Sequence, residues 1–211
     1  MGKFYEVTAT SKSNYIYNDY HACNDFLFTH RDLKNIILEL LLFRPYILDH
    51  TKDYIIADGR ILYTYNPSFY DKNYYFYCSL FIQTLYSYWD KIALFLHAYF
   101  PFSIKKNKAS FTAIIDQFPE EFKNKHYIWL TDYKNGNFSE INNKRKKVVH
   151  YQSLESQIYQ EYFEGFNDEK KIQALQTWKI KMVDDFIQYF NDSTVGLKET
   201  LKLIESKNQS Q

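Results

Sequence analysis

The sequence predicts an all-α protein, and three of its features lead to this assignment. The 211 residues include only 5 Gly and 4 Pro, whereas a many-stranded β protein needs a turn signal roughly every 8–12 residues. Hydrophobic residues make up 45% of the chain, which is enough for a substantial core. Several long segments also repeat apolar residues at helical spacing. We therefore expect a bundle of long helices joined by a few polar loops.

Residues 1–70 are expected to form a helical extension that packs on the main bundle. Positions 1–20 are polar and tyrosine-rich and show no clear period, so no element is assigned to them. Positions 21–49 repeat apolar residues at helical spacing, and Pro45 is expected to kink or end this helix. An Asp-Gly pair lies between two apolar triplets in residues 54–65, which predicts a small β-ribbon or an ordered loop.

The main helical domain is expected over residues 71–206, with a polar tail at 207–211. Residues 73–99 are apolar nearly all round, which predicts a central helix buried on most sides and stopped by Pro101. Further helices are predicted over 111–118, 120–130, 138–151 (capped by Ser139), 169–191 and 195–206. The segment 152–168 has an ambiguous pattern and receives no assignment.

The charge balance limits how the protein could hold nucleic acid. The chain has 26 Lys and Arg against 25 Asp and Glu, a net charge of +1. Bulk positive charge therefore cannot attract a polyanion. Any contact with RNA or DNA must come from a local basic patch.

Several other functional classes find no support in the sequence. Cys23 and Cys78 show no metal-ligand spacing, and no Gly-rich phosphate loop is present. Neither a secretion signal nor an uninterrupted apolar stretch long enough to span a bilayer occurs. We therefore expect a soluble, cytoplasmic protein without a metal, a cofactor or a membrane partner.

A polar face runs along the otherwise apolar central helix. Gln83, Ser87, Asp90, Leu94 and His97 follow one another at spacings of 4, 3, 4 and 3 residues, so they share one side. A buried carboxylate without a partner is costly, so Asp90 either faces water or meets a cation from another helix. The structural interpretation is an ion pair between helices, which the residues alone favour. The functional interpretation is an acid that holds a catalytic Arg or His in place.

A basic segment near residue 145 holds the residues with the clearest chemical use. Arg145 and His150 are five positions apart, about 140° round a helix and about 7.5 Å along it. Arginine is a permanent forked donor to phosphate oxygens, and histidine exchanges a proton near neutral pH. A metal-free ribonuclease needs these two groups, and Lys144, Lys146 and Lys147 would add positive charge for RNA phosphates. On charge alone, a solvated basic helix face is the better explanation of the segment.

The spacing by itself is weakly specific, because the chain contains a second example. Arg44 and His50 form an Arg-x5-His pair. We keep this pair as a minor alternative site, since Pro45 interrupts the helix between the two residues.

Two segments, taken in order, resemble the HEPN superfamily. The first runs Tyr-Ser-Tyr-Trp-Asp-Lys-Ile-Ala-Leu-Phe-Leu from residue 86, and the second is Asn143-x-Arg145-x4-His150-Tyr151. They are most similar to the bacterial branch that has a Trp-Asp-Lys helix ahead of an Arg-x4-6-His helix, and the resemblance covers roughly residues 70–192. It implies a helical bundle of four or more helices that forms a homodimer. Many members are ribonucleases of toxin–antitoxin, abortive-infection or other defence systems.

The resemblance implies a role for each residue of a metal-free RNA cleavage site. His150 would act as general base or acid at the ribose 2′-hydroxyl, and Arg145 would stabilise charge on the phosphate. The supporting residues would be Ser87, Asp90, Asn143 and Tyr151. The partners implied are RNA, a second copy of the chain and, for a toxin, an antitoxin.

The main alternative is a non-catalytic HEPN module that binds a nucleotide, RNA or a partner protein. Active members often have Asn, Asp or His after the motif arginine, where this chain has Lys146, and this difference favours the alternative. Tyr151 directly follows His150, whereas some members have His-x-Tyr, so a scheme in which an antitoxin modifies that tyrosine is not expected. A third interpretation is a purely structural helical protein.

Overall fold

The computed structural model describes residues 2–10, 19–150 and 152–209, and it is mostly helical. This confirms the predicted all-α class. The helices are α1 (Gly2–Thr10), α2 (Asp19–Phe43), α3 (Phe69–Tyr99), α4 (Phe111–Asp116), α5 (Lys125–Asn135), α6 (Asn137–His150), α7 (Leu154–Gly165) and α8 (Glu169–Gln209). Short 3-10 turns cover Arg44–Tyr46, His50–Lys52, Lys106–Lys108 and Glu120–Phe122.

A β-hairpin lies where the Asp-Gly pair predicted one. Strands β1 (Tyr54–Ala57) and β2 (Arg60–Tyr63) pair antiparallel. Asp58 and Gly59 form the turn between them, with φ of 51° and 72°. Two successive positive φ angles suit an Asp-Gly turn, because its twist matches that of the flanking strands.

Two helices begin at residues that differ from the prediction. The helix predicted over residues 120–130 is wrong in its bounds, because a 3-10 turn comes first and α5 starts at Lys125. The Asn124 side chain accepts hydrogen bonds from His126 N and Tyr127 N, which fixes this start. The predicted Ser139 cap is also wrong, since α6 already begins at Asn137.

The two helices predicted at the C-terminal end are a single helix, α8. The polar residues between them do not break it, because their hydroxyls bond within the helix. Ser193 Oγ and Thr194 Oγ1 donate to the carbonyl oxygen of Phe190, at 2.7 and 3.4 Å. Such back-bonding satisfies a hydroxyl without ending the helix. The unassigned segment 152–168 contains α7.

The chain divides into two compact units. Unit 1 comprises residues 1–33, 84–142 and 189–211, and unit 2 comprises residues 34–83 and 143–188. Helices α2, α3, α6 and α8 contribute residues to both units.

The core of unit 1 is built around Trp89 of α3. Its fully buried indole stacks on the ring of Tyr133, with centroids 4.2 Å apart, and lies 4.7 Å from the ring of Phe111. Buried aromatic pairs add favourable ring contacts to the burial of apolar surface. The first residue of the Trp-Asp-Lys segment is therefore a packing residue of this core.

The core of unit 2 joins α3 to α8. Phe81 and Phe186 stack with ring centroids 4.5 Å apart. The buried hydroxyl of Tyr74 donates to the carbonyl oxygen of Lys179 at 2.8 Å. These contacts hold the N-terminal half of α3 against the N-terminal half of α8.

Candidate functional site

Helix α6 carries the predicted catalytic pair. Residues 143–150 form its C-terminal half and belong to unit 2. Arg145 is half-buried, and His150 is exposed at the last position of the helix. Because the backbone is helical between them, the two side chains leave the axis about 140° apart. Because His150 is exposed, a ligand that approaches the end of α6 can reach its ring directly.

The predicted phosphate-binding residues lie on the same half of α6. Lys146, Lys147 and Asn143 are exposed, and Lys144 is half-buried. Lysines in the last turns of a helix also interact favourably with the helix dipole. The segment is thus both a stable helix end and a local concentration of positive charge. The predicted supporting residue Tyr151 lies outside the described residues.

Asp90 has a structural role that the sequence did not suggest. Its Oδ1 accepts a hydrogen bond at 3.2 Å from the backbone N–H of Phe111, the first residue of α4. Ser87, one turn earlier on α3, is exposed. Both residues belong to unit 1, whereas Arg145 and His150 belong to unit 2. Their supporting role at the catalytic pair stays a prediction.

The Arg44 and His50 pair does not form a comparable site. The Arg44 guanidinium donates to both carboxylate oxygens of Asp184, at 2.9 Å each. His50 is only 1% exposed, and its ring packs against the rings of Tyr65 and Tyr162. Arg44 is therefore engaged in a bidentate ion pair, and His50 is closed to a large substrate.

Burial also changes the acid–base properties around His50. Burial, followed by the positive charge of Lys179, lowers the pKa of His50. Burial lowers the pKa of Lys179 to about 8, against the opposing effect of the Asp71 and Asp49 carboxylates. Sequence reasoning missed Lys179, although it follows the apolar Ile172 by seven residues and so occupies the buried face of α8.

A groove of about 400 Å³ lies in unit 2 beside the end of α6. Lys72, Phe76 and Gln83 of α3 line one side, and Val148 and Glu155 line the other. The groove combines a cation, an exposed aromatic ring, an amide and a carboxylate. These are groups that can stack on a base or bond to its edge.

Two negative findings apply to residues 2–10, 19–150 and 152–209. No three His, Cys, Asp or Glu side chains in these ranges are grouped as a metal site would require. No helix in the same ranges is both long enough and apolar enough to cross a membrane.

Over the described residues the fold is helical apart from one hairpin, which is the class that the two sequence segments predicted, and α6 ends in a basic segment. The HEPN_Cthe2314-like HEPN family model matches residues 49–208. The chain therefore belongs to this HEPN family, which confirms the predicted superfamily. No curated protein and no solved structure matches the chain significantly. Family membership supports a module of the nucleotide-binding or ribonuclease type.

Proposed function

We propose that the protein is a metal-independent endoribonuclease that uses Arg145 and His150 at a homodimer interface, and that it acts as a toxin or phage-defence effector. One observation carries the proposal: an arginine and an exposed histidine share the basic C-terminal half of α6 in a chain of the HEPN family. These groups supply charge stabilisation and proton transfer, which RNA cleavage requires.

The chemistry needs two proton transfers. The imidazole of one His150 accepts the proton of a ribose 2′-hydroxyl, and the 2′-oxygen attacks the adjacent phosphorus. The bond from phosphorus to the 5′-oxygen breaks, and the second subunit's imidazolium protonates that oxygen. The products are a 2′,3′-cyclic phosphate and a free 5′-hydroxyl. Arg145 stabilises the negative charge that grows on the phosphate oxygens.

The distribution of exposed apolar side chains supports a second copy against unit 2. Among the side chains described, all the exposed large apolar ones belong to unit 2 except Leu27, Phe28, Ile128 and Val195. A concentration of exposed apolar side chains in one part of a protein is a feature of protein interfaces. One of these exposed side chains, Val149, is next to His150 at the end of α6.

The test is RNA cleavage in the presence of EDTA. The wild-type protein should yield fragments with cyclic phosphate ends, and Arg145→Ala and His150→Ala should each lose about 100-fold or more of the rate. Arg44→Ala is the matched control, because Arg44 belongs to the other Arg–His pair, with His50, and contacts Asp184. Cleavage that needs a metal, or that survives both substitutions on α6, would contradict the proposal.

The defence role has a separate test. Expression of the wild-type chain in a bacterial host should arrest growth, and His150→Ala at equal abundance should not. Co-expression of a neighbouring gene product that restores growth would identify an antitoxin. Growth arrest by both forms would show that toxicity does not depend on this residue.

The groove beside α6 favours a second candidate function, a non-catalytic module that binds a nucleotide, RNA or a partner protein. Under this alternative, Phe76 would stack on a base and Lys72 would meet its phosphate. Labelled nucleoside monophosphates should then bind, and Phe76→Ala should weaken binding without any cleavage of RNA. Phe163→Ala is the control, since Phe163 is equally exposed in unit 2 but does not line the groove.

A further inference from the structure

Unit 2 contains a cluster of buried polar side chains that RNA cleavage does not use. His50, Asp71, Tyr75 and Lys179 are all between 0% and 1% exposed. They come from the turn His50–Lys52, from α3 and from α8. The charge of Asp71 acts on the pKa of His50, Tyr65, Tyr75 and Lys179, so these side chains share one neighbourhood. We refer to His50, Tyr65, Asp71, Tyr75 and Lys179 as the buried polar cluster.

Asp71 is already paired by groups outside the buried polar cluster. Its Oδ1 accepts from the backbone N–H of Leu48 at 3.2 Å. Its Oδ2 accepts from the backbone N–H and the hydroxyl of Ser68, at 2.9 and 2.6 Å. The Ser68 hydroxyl in turn accepts from the Asp71 N–H at 3.1 Å, which completes a capping box at the start of α3.

The other members lack partners of this kind. Among the protein groups described, neither ring nitrogen of His50 has a hydrogen-bond partner, and neither do the hydroxyls of Tyr65 and Tyr75. The Lys179 ammonium reaches the carbonyl oxygen of Leu48 at 3.5 Å, the outer limit of a hydrogen bond. Buried polar atoms left unpaired lose the bonds to water that they make in the unfolded chain. Several such losses at one place would remove much of the stability of a domain.

The chemistry of these atoms identifies the ligand that would satisfy them. The tyrosine hydroxyls both donate and accept, a neutral imidazole does one of each, and the Lys179 ammonium donates. The opposite charges of Lys179 and Asp71 disfavour an anion or a cation. The ligand must therefore be small, neutral and able both to donate and to accept. Water has these properties, and buried water typically makes about three bonds to otherwise unpaired groups.

We propose that the buried polar cluster is an internal hydration site, in which water molecules join His50, Tyr75 and Lys179 and bond to the Tyr65 hydroxyl. The site ties the turn at His50 to α3 and α8 within unit 2. His50 is therefore a ligand of structural water and not part of a second nuclease site with Arg44. This assignment is independent of the proposed ribonuclease activity.

Two adjacent tyrosines provide the test. Tyr74 is 0% exposed and its hydroxyl has a protein partner, the Lys179 carbonyl, whereas Tyr75 is 1% exposed and its hydroxyl has none among the groups described. If water occupies the site, Tyr75→Phe should lower the thermal unfolding midpoint about as much as Tyr74→Phe, by roughly 2–4 °C. A Tyr75→Phe variant that unfolds at or above the wild-type midpoint would overturn the proposal.

A second variant keeps the test decisive if Tyr75→Phe does not fold. Tyr65→Phe removes another hydroxyl of the buried polar cluster from a half-buried position. Its midpoint should also fall, and an unchanged or higher midpoint would again overturn the proposal. Electron density in a high-resolution crystal structure should show water within hydrogen-bond distance of the His50 ring, and its absence would count against the site.

Discussion

The backbone of Gly196 in α8 lies directly against the indole ring of Trp89 in α3. A Cβ atom added to Gly196 would be 2.2 Å from Cη2 of Trp89, far closer than van der Waals contact. Trp89 cannot withdraw, because it is fully buried and stacked on Tyr133. Glycine is therefore required at position 196 by close packing, although it is a poor residue for the middle of a helix.

Gly196→Ala should consequently destabilise the protein despite the higher helix propensity of alanine. We expect the free energy of unfolding to fall by about 2 kcal/mol, because overpacking forces side chains or backbone to shift. Gly2→Ala is the control, since an added Cβ there meets nothing within 4 Å. Chemical denaturation measures both variants. Equal stability of Gly196→Ala and the wild type would show that the Trp89 ring can move.

Asp90 should contribute to stability through the start of α4. Asp90→Ala leaves the N–H of Phe111 without its carboxylate acceptor, so we expect a loss of about 1 kcal/mol in the free energy of unfolding. Asp90→Asn keeps an acceptor oxygen and should lose less. Ser87→Ala, on the exposed part of the same helix, should leave stability unchanged. Equal losses for Asp90→Ala and Ser87→Ala would contradict this role.

The lysines of α6 should make RNA binding depend on salt. Each phosphate contact that is lost should reduce the slope of log affinity against log salt by about 0.7 for single-stranded RNA. Removing both Lys146 and Lys147 should therefore flatten the slope, measured by fluorescence anisotropy of a labelled RNA. The control removes the exposed lysines Lys170 and Lys181 of α8. An identical slope for the two double variants would show that α6 does not meet the phosphates.

The buried Lys179 should make stability rise with pH in the alkaline range. Its pKa is about 8 in the folded protein and near 10.5 in the unfolded chain. Between these values the unfolded state binds more protons, so the free energy of unfolding increases as pH rises from 8 to 10.5. The difference of 2.5 pKa units corresponds to about 3 kcal/mol. Asp71, Asp49 and His50 are the titratable groups that act on this lysine or are acted on by it.

Lys179→Met tests this prediction, because methionine has no proton to lose. The stability of the wild type relative to this variant should increase by about 3 kcal/mol between pH 7.5 and 10.5. Lys181→Met, two residues along at an exposed position, should show no such trend. Urea denaturation at several pH values measures the difference. A difference between the wild type and Lys179→Met that stays constant over this range would contradict the lowered pKa.

Helix class and the hairpin could be predicted because local sequence determines them. The apolar residues of α3 recur nearly all round the helix, and the Asp58-Gly59 turn needs the positive φ angles that these residues tolerate. The residues at which helices begin and end were harder to predict, because they depend on single hydrogen bonds. The Asn124 cap sets the start of α5 later than predicted. The hydroxyls of Ser193 and Thr194 bond back to their own helix, so α8 continues through the polar residues where two helices were predicted.

The sequence by itself determined that the chain is a helical HEPN protein and that it holds two pairs with similar Arg–His spacing. Spacing fixes the directions of two side chains only where one helix spans both, and α6 does so for Arg145 and His150. Only the tertiary structure decided what the other pair contacts, since Asp184 binds Arg44 from 140 positions away and the rings of Tyr65 and Tyr162 pack against the buried His50. The physical reason is that burial and pairing depend on contacts between residues far apart in the chain, which local spacing does not encode.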